Sequence, residues 1–300
     1  MKHLAVLALA LTPLAGLAAD LTIPAGKTYV VGIDQQELVL ENLHIGDGAK
    51  ITFAPAVGDW RVQARHAFIG KGVVIDGNGV EGEAGTSSSV GAKCSDGIAG
   101  GNGGDGGDGV AIRLQLGLES LGDLYVLANG GAGGSGGAGG DGADVNEDCD
   151  GVPAGEGGNG GDGGQGGRGG DVTILYQVLS KVSRGDDIAA RIKIDNQGAA
   201  GGDGGDAGSG GVGTGGYYIN RKTLTGGRKW VEGGDGGLAG SPGSAGSAGN
   251  PGRILVDQLI LSSAQAVDVK SPATTLLELQ RQIERLRARV DKLEAAATAQ

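Results

Sequence analysis

Between residues 20 and 76 the chain is a series of short β-rich runs broken by Gly, Asp and Pro: LTIPAGKTYVV, ELVLENLHI, AKITFAP, RVQARHAFI and VVID. Alternating apolar and polar positions with such breaks predict strands and turns. The spacing of ENLHIGDGAKITF and HAFIGKGVVIDGNG matches the rungs of a short β-solenoid with glycine at each corner; a small sandwich or barrel gives a similar pattern. Asp59, Trp60, Arg61, His44 and His66 stand alone there and read as structural.

From 77 to 261 one unit recurs three times. A strand ends in an acidic or amide residue (Asp76, Asn129, Asp195-Asn196), a glycine-rich excursion follows, and an alternating strand resumes. The resuming strands are VAIRLQL (110–116), VTILYQV (172–178) and RILVDQLIL (253–261), so the excursions are 77–109, 130–170 and 198–252. Residues 155–172 repeat Gly-Gly-X, with Glu156, Asn159, Asp162, Gln165, Arg168 and Asp171 at X. Period three suits a left-handed extended helix with three residues per turn. Each excursion is then a hairpin of two glycine helices, six in all. The tract 130–142 has two glycine rows and should be packed on two sides. The tracts 77–85 and 240–252 have one row each, as expected at the edges.

The segment GGDGGQGGRGGDVTILYQV (160–178) resembles the glycine-rich N-terminal domain of Obg-family GTPases. That resemblance implies a β base from which six left-handed glycine helices project. No GxxxxGK[ST] phosphate loop occurs, so a GTPase role is not implied. Glycine tracts alternating with unlike tips also resemble the receptor-binding adhesins of phage tail fibres, and in plan the glycine-helix antifreeze proteins. The fold class expected is therefore all-β: a short β-solenoid or barrel base, six polyglycine-II helices in three hairpins, and a C-terminal coiled-coil helix.

That last element comes from residues 275–297. Thr275 and Glu278 form a capping box, and Leu276, Leu279, Ile283, Leu286, Val290 and Leu293 step by three and four. β-Branched a positions with Leu at d, and Arg289 with Glu294, favour a parallel dimer. A homo-oligomer is expected, with a trimer or an intramolecularly docked helix left open. Residues 262–274 are a polar linker.

Composition narrows the picture. Of 300 residues 67 are Gly, with only 2 Phe, 2 Trp and 5 Tyr. The apolar core must be thin, and backbone hydrogen bonding has to carry more of the structure. Seven prolines and a Gly-Gly-X rather than Gly-X-Y repeat exclude collagen. A formal charge of −11 disfavours nucleic acid as a partner. Lys2 and His3, the apolar run Leu4 to Leu11, and the small residues Gly16, Ala18 and Ala19 read as a signal peptide over residues 1–19. No later run is long enough to span a membrane. The expected location is outside the cytoplasm: secreted, on the cell surface or in the periplasm. There Cys94 and Cys149 are expected to form a disulfide.

Candidate chemistry falls on three tips. TSSSVGAKCSD (86–96) is small and polar, and DVNEDCDGVP (144–153) is acidic. Asn146, Asp148, Asp150 and Gly151 match the opening of a calcium loop, so calcium is the candidate cation. Position twelve is Gly157 rather than Glu, and a solvated acidic turn is the alternative. The single match of GGDGGDGVA (103–111) to a calcium nonapeptide reads as chance within the repeat. The third tip, 217–231, gathers Tyr217, Tyr218, Arg221, Lys222, Arg228, Lys229 and Trp230, with a turn at 225–227. Aromatic faces beside cations suit an acidic glycan or another cell-surface ligand. Equally, the hairpin can fold back and plug the bundle end. No HExxH, GxSxG or CxxC occurs. The pairs Asp105/Asp108 and Asp203/Asp206 read as solubilising. The expectation is a non-catalytic, adhesin-like binding protein. A structural matrix protein and a polysaccharide-acting solenoid enzyme are the rivals.

Overall fold

Alternate apolar residues place thirteen strands in the computed structural model, which describes residues 19–149, 151–179, 188–220 and 227–259. The strands are β1 (Ala19–Ile23), β2 (Thr28–Val31), β3 (Glu37–Ile45), β4 (Lys50–Phe53), β5 (Asp59–Ile69), β6 (Val73–Asp76) and β7 (Ala111–Leu121). They continue as β8 (Leu124–Leu127), β9 (Val172–Val178), β10 (Ile192–Asp195), β11 (Tyr217–Ile219), β12 (Lys229–Val231) and β13 (Ile254–Gln258). A six-stranded sheet runs β1-β3-β5-β7-β9-β13 and a five-stranded sheet runs β10-β8-β6-β4-β2. All pairings in both are parallel. Up to β10 the chain switches sheet at every strand, so each strand lies beside the one two before it.

The core is the space between the two sheets. Trp60, Val62, Ala64, Ala67 and Ile69 of β5 are buried, and so are Ile112, Leu114, Leu116, Leu118 and Leu121 of β7. Each series breaks alternation once, β5 between Ala64 and Ala67 and β7 between Leu118 and Leu121, at the two adjacent shifts of the β5–β7 register. The second sheet adds Val31, Ile51, Val73, Ile75, Leu124 and Val126. Few side chains are large, so stacked rows of Ile, Leu and Val fill the gap. Corners from the first sheet to the second repeat one shape, with Gly26, Gly48 and Gly72 at φ 66°, 65° and 64°. That left-handed region is open to glycine at little cost. Trp60 packs edge-on against Phe53, His44 stacks on Phe68, and His66 Nδ1 lies 2.9 Å from Glu119 Oε1.

This arrangement corrects the expected fold class. Instead of a solenoid or barrel base with six polyglycine-II helices and a coiled-coil helix, the molecule is mostly parallel sheet in two sheets. The reason lies in the strands read as a separate base for the glycine tracts. β7, β9 and β13 continue the sheet begun by β1, β3 and β5, so hydrogen bonding runs on to Gln258. Among the described residues no α-helix occurs, only short 3-10 turns such as Ile33–Gln35 and Ala189–Arg191. The coiled coil therefore has no support, and residues 275–297 themselves lie outside the described residues. So do residues 1–18 of the expected signal peptide. No helix among the described residues is long and apolar enough to cross a membrane.

The returns from the second sheet to the first differ sharply. Five residues link β2 to β3 and β4 to β5, whereas β6 to β7, β8 to β9 and β10 to β13 contain the three glycine-rich excursions. All three leave from the same corner of successive strand pairs. They pack as six extended tracts, approximately 77–91, 97–109, 129–143, 154–171, 196–213 and 236–252.

Candidate functional site

Backbone hydrogen bonds at every third residue join the tracts in two layers. In the outgoing layer Gly79, Gly82 and Gly85 donate to Asn129, Ala132 and Ser135, and Gly130, Gly133 and Gly136 donate to Gln197, Ala200 and Asp203. In the returning layer Gly100, Gly103 and Gly106 donate to Asn159, Asp162 and Gln165, and Gly157, Gly160 and Gly163 donate to Leu238, Ser241 and Ser244. The other glycine of each triplet bonds across the layers, as Gly161 does to Gly137 and Gly205 does to Gly161. Side chains are excluded at these contacts. A Cβ on Gly161 would collide with the carbonyl oxygen of Gly101.

That leaves one amide per triplet, at X, facing outward. Where X of the preceding tract in the layer is Asp or Asn, its side chain accepts from that amide. Asp105 Oδ1 takes the Gln165 N–H at 2.7 Å, Asp108 takes Arg168 at 2.7 Å, Asn129 takes Gln197 at 2.7 Å and Asp162 takes Ser244 at 2.8 Å. Sequence separations stay constant within each tract pair: 60 from the second tract to the fourth, 68 from the third to the fifth, 82 from the fourth to the sixth. Asp105 and Asp108 are thus structural acceptors as well as solubilising groups. The fifth tract is last in its layer, so Asp203 and Asp206 have no further tract to serve, and both are exposed.

The tips meet at the end of this slab remote from the sheets. Cys94 of the first is bonded to Cys149 of the second. Beside them Lys93 Nζ lies 2.7 Å from Asp148 Oδ2. That hydrogen bond, together with the Asp148 charge, raises the Lys93 pKa above its ordinary value. The second tip reaches the third where the Gly151 N–H donates to the Glu232 carbonyl at 3.3 Å. Gly151 has φ 74°, and a Cβ there would lie 3.1 Å from Glu232 Oε2.

In the third tip β11 and β12 form an antiparallel ribbon pairing Tyr217 with Val231, Tyr218 with Trp230 and Ile219 with Lys229. One face turns inward: Val231 is fully buried, with Tyr217 and Ile219 half-buried. The other turns outward, leaving Tyr218 62% and Trp230 48% exposed in an edge-to-face pair with centroids 4.7 Å apart. The inward-facing residue of the ribbon is thus Val231, while the paired aromatics Tyr218 and Trp230 stay on the outer face. Alternation within KWV was the sequence signal that separates the two faces. Arg228 and Lys229 belong to the same ribbon end, while Arg221 and Lys222 lie outside the described residues.

The expected calcium residues are only partly placed. The Asn146 side chain accepts the Asp148 N–H at 2.9 Å, Asp148 is engaged by Lys93, and Asp150 lies outside the described residues. Among the described residues no group of three His, Cys, Asp or Glu side chains is placed to hold a metal.

Exposed large apolar side chains of the slab gather at this end. Val90, Ile98, Val152, Val212, Tyr218, Trp230 and Leu238 are all exposed there; nearer the sheets the tracts expose Val80, and the sheets and their connections expose Val30, Ile33, Val39, Phe68, Ile254 and Leu255. Between them the exposed rows hold small or polar side chains. An open groove of about 430 Å³ crosses the same end, lined by Gly151, Pro153, Thr214, Gly215, Gly216, Gly233, Gly234 and Asp235.

No family model matches the chain, no curated protein matches it, and no solved structure matches it.

Proposed function

We propose that this is an exported, non-catalytic binding protein of the cell surface or extracellular matrix, which engages a glycan-bearing surface through the distal end of its glycine slab. The observation that carries this reading is the gathering of exposed aromatic and aliphatic side chains on three tips and on the tract ends beside them, the tips being tied together by a disulfide and by backbone contact. Large exposed apolar clusters with a polar surround mark interaction sites. Loops held on a fixed scaffold are where binding tends to concentrate. Arg228 and Lys229 add local positive charge in a chain of net charge −11, which suits acidic groups on such a surface.

The test replaces residues 217–231 by a short Gly-Ser turn and measures binding to whole cells and to a glycan panel. Binding should fall to background while the β signal and melting temperature of the sheets persist. Undiminished binding by the replaced protein would reject the distal end as the contact surface.

A further inference from the structure

Two of the glycines lining the distal groove show that its form is imposed by the backbone. A Cβ on Gly216 would strike the Trp230 ring, and one on Gly234 would strike the Val152 carbonyl. Glycine at these points lets the neck of the third tip lie close under Trp230 on one side and against the second tip on the other. The neck itself is closed by reciprocal hydrogen bonds between Thr214 and Gly234, each 3.0 Å.

What faces the groove is therefore mainly peptide. The N–H groups of Gly215, Gly216 and Gly233 donate to no acceptor among the described residues. Asp235 supplies a carboxylate at the groove's edge, with its backbone carbonyl engaged by the Ala154 N–H at 2.8 Å. Glu232 is the neighbouring charge, near Gly151. The Trp230 indole, half open to solvent, thus stands against Gly216 at the groove's edge, and the lining offers N–H groups with no acceptor among the described residues, beside the Asp235 carboxylate.

We infer that this groove is a carbohydrate subsite, and that the ring it takes is an uncharged pyranose. The inference rests on the binding function proposed above. The apolar C–H face of a pyranose can lie on Trp230, which supplies flat area at low entropic cost. Its ring hydroxyls can accept from the free glycine N–H groups and donate to Asp235, so each polar group keeps a partner. A carboxylate or sulfate on that ring would meet the Asp235 carboxylate, and like charges at such range repel. Arg228 and Lys229 attract acidic groups elsewhere on the same surface, which separates ring selection from general charge attraction. A volume of about 430 Å³ is within the usual range for a small-molecule site.

Gly215 provides the decisive variant, because no atom lies within 4 Å of a Cβ placed there. Gly215→Leu therefore fills the groove without displacing the neck. The full chain is titrated with uncharged gluco-, galacto-, manno- and N-acetylglucosamine oligosaccharides, and with uronate and sulfated ones. Isothermal titration calorimetry is the readout, because it reports binding equally in variants that lack the Trp230 indole. At least one uncharged oligosaccharide should bind, and Gly215→Leu and Trp230→Ala should each weaken its binding about tenfold or more. Trp230→Phe should keep most of it. An uncharged ligand that binds parent and Gly215→Leu equally, or signal from charged oligosaccharides alone, overturns the subsite. If Gly215→Leu retains binding that the 217–231 replacement loses, the groove is wrong and the distal surface stands. If no cell or glycan binds the parent, both fall together.

Discussion

Asn196 is buried to 2% at the root of the third excursion, and its Nδ2 donates to the Gly170 carbonyl at 3.0 Å and the Arg253 carbonyl at 3.4 Å. Its own carbonyl accepts the Gly252 N–H at 3.0 Å. One side chain therefore joins the roots of the fourth, fifth and sixth tracts where they meet the first sheet. Asn196→Leu leaves the two carbonyls without that donor, which should cost about 1–3 kcal/mol. Asn196→Asp should cost more at neutral pH, because a buried carboxylate then faces two carbonyl oxygens. That environment raises the carboxyl's folded pKa above its unfolded value. The penalty is then full above the folded pKa and shrinks as pH falls through it, when a protonated Asp regains one donor. Urea unfolding at neutral and mildly acidic pH should show Asn196→Asp approaching Asn196→Leu on acidification. A penalty that is equal at both pH values would contradict this account.

At the scale of the tract, glycine identity matters by row. Gly104 tolerates a Cβ with its nearest atom, the Glu83 N, at 3.1 Å, whereas a Cβ on Gly161 or Gly164 runs into a carbonyl of the second tract. Gly104→Ala should change stability by less than about 1 kcal/mol, with the entropy gained in losing a glycine offsetting the tight contact. Gly161→Ala must part the second and fourth tracts within their layer and should cost several times more, on the order of 3 kcal/mol. Melting temperatures of the two single variants decide it, and equal losses would contradict the layered packing. The rows also show what could be read in advance. Alternation in VTILYQV marked β9, and period-three glycine marked the excursions. The parallel register was hidden, because partner residues on paired parallel strands lie 21 to 82 positions apart in the chain. The acceptor role of Asp105 and Asp162 was hidden too. It becomes visible only once the tracts are aligned, when Asp and Asn recur at constant separation from the amides they serve. In the third tip, alternation across Lys229-Trp230-Val231 held the information, and the cluster of charge and aromaticity drew attention from it.

At the scale of the molecule, the sheets fix the position of the tips. Each excursion starts and ends on strands locked in register, and each tract is locked to its neighbours at every triplet, so tip height is counted in triplets from the sheet. Residues 132–134 and 162–164 oppose each other within the second hairpin, where the Gly164 N–H donates to the Gly134 carbonyl at 2.8 Å. Deleting both triplets keeps that hairpin's pairing but withdraws its tip by three extended residues, about 9 Å. Cys94 and Cys149, now 5.5 Å apart at Cα, would then exceed the roughly 7 Å that a disulfide can bridge. The paired deletion should leave two free thiols in denatured, non-reduced protein. Deleting the matching triplets from the other two hairpins as well, 81–83 with 102–104 and 200–202 with 244–246, lowers all three tips together. That shorter protein should regain the disulfide and show no free thiol. Independent tips would behave differently: a disulfide that survives withdrawal of the second hairpin alone would mean that the slab does not hold the tips in step.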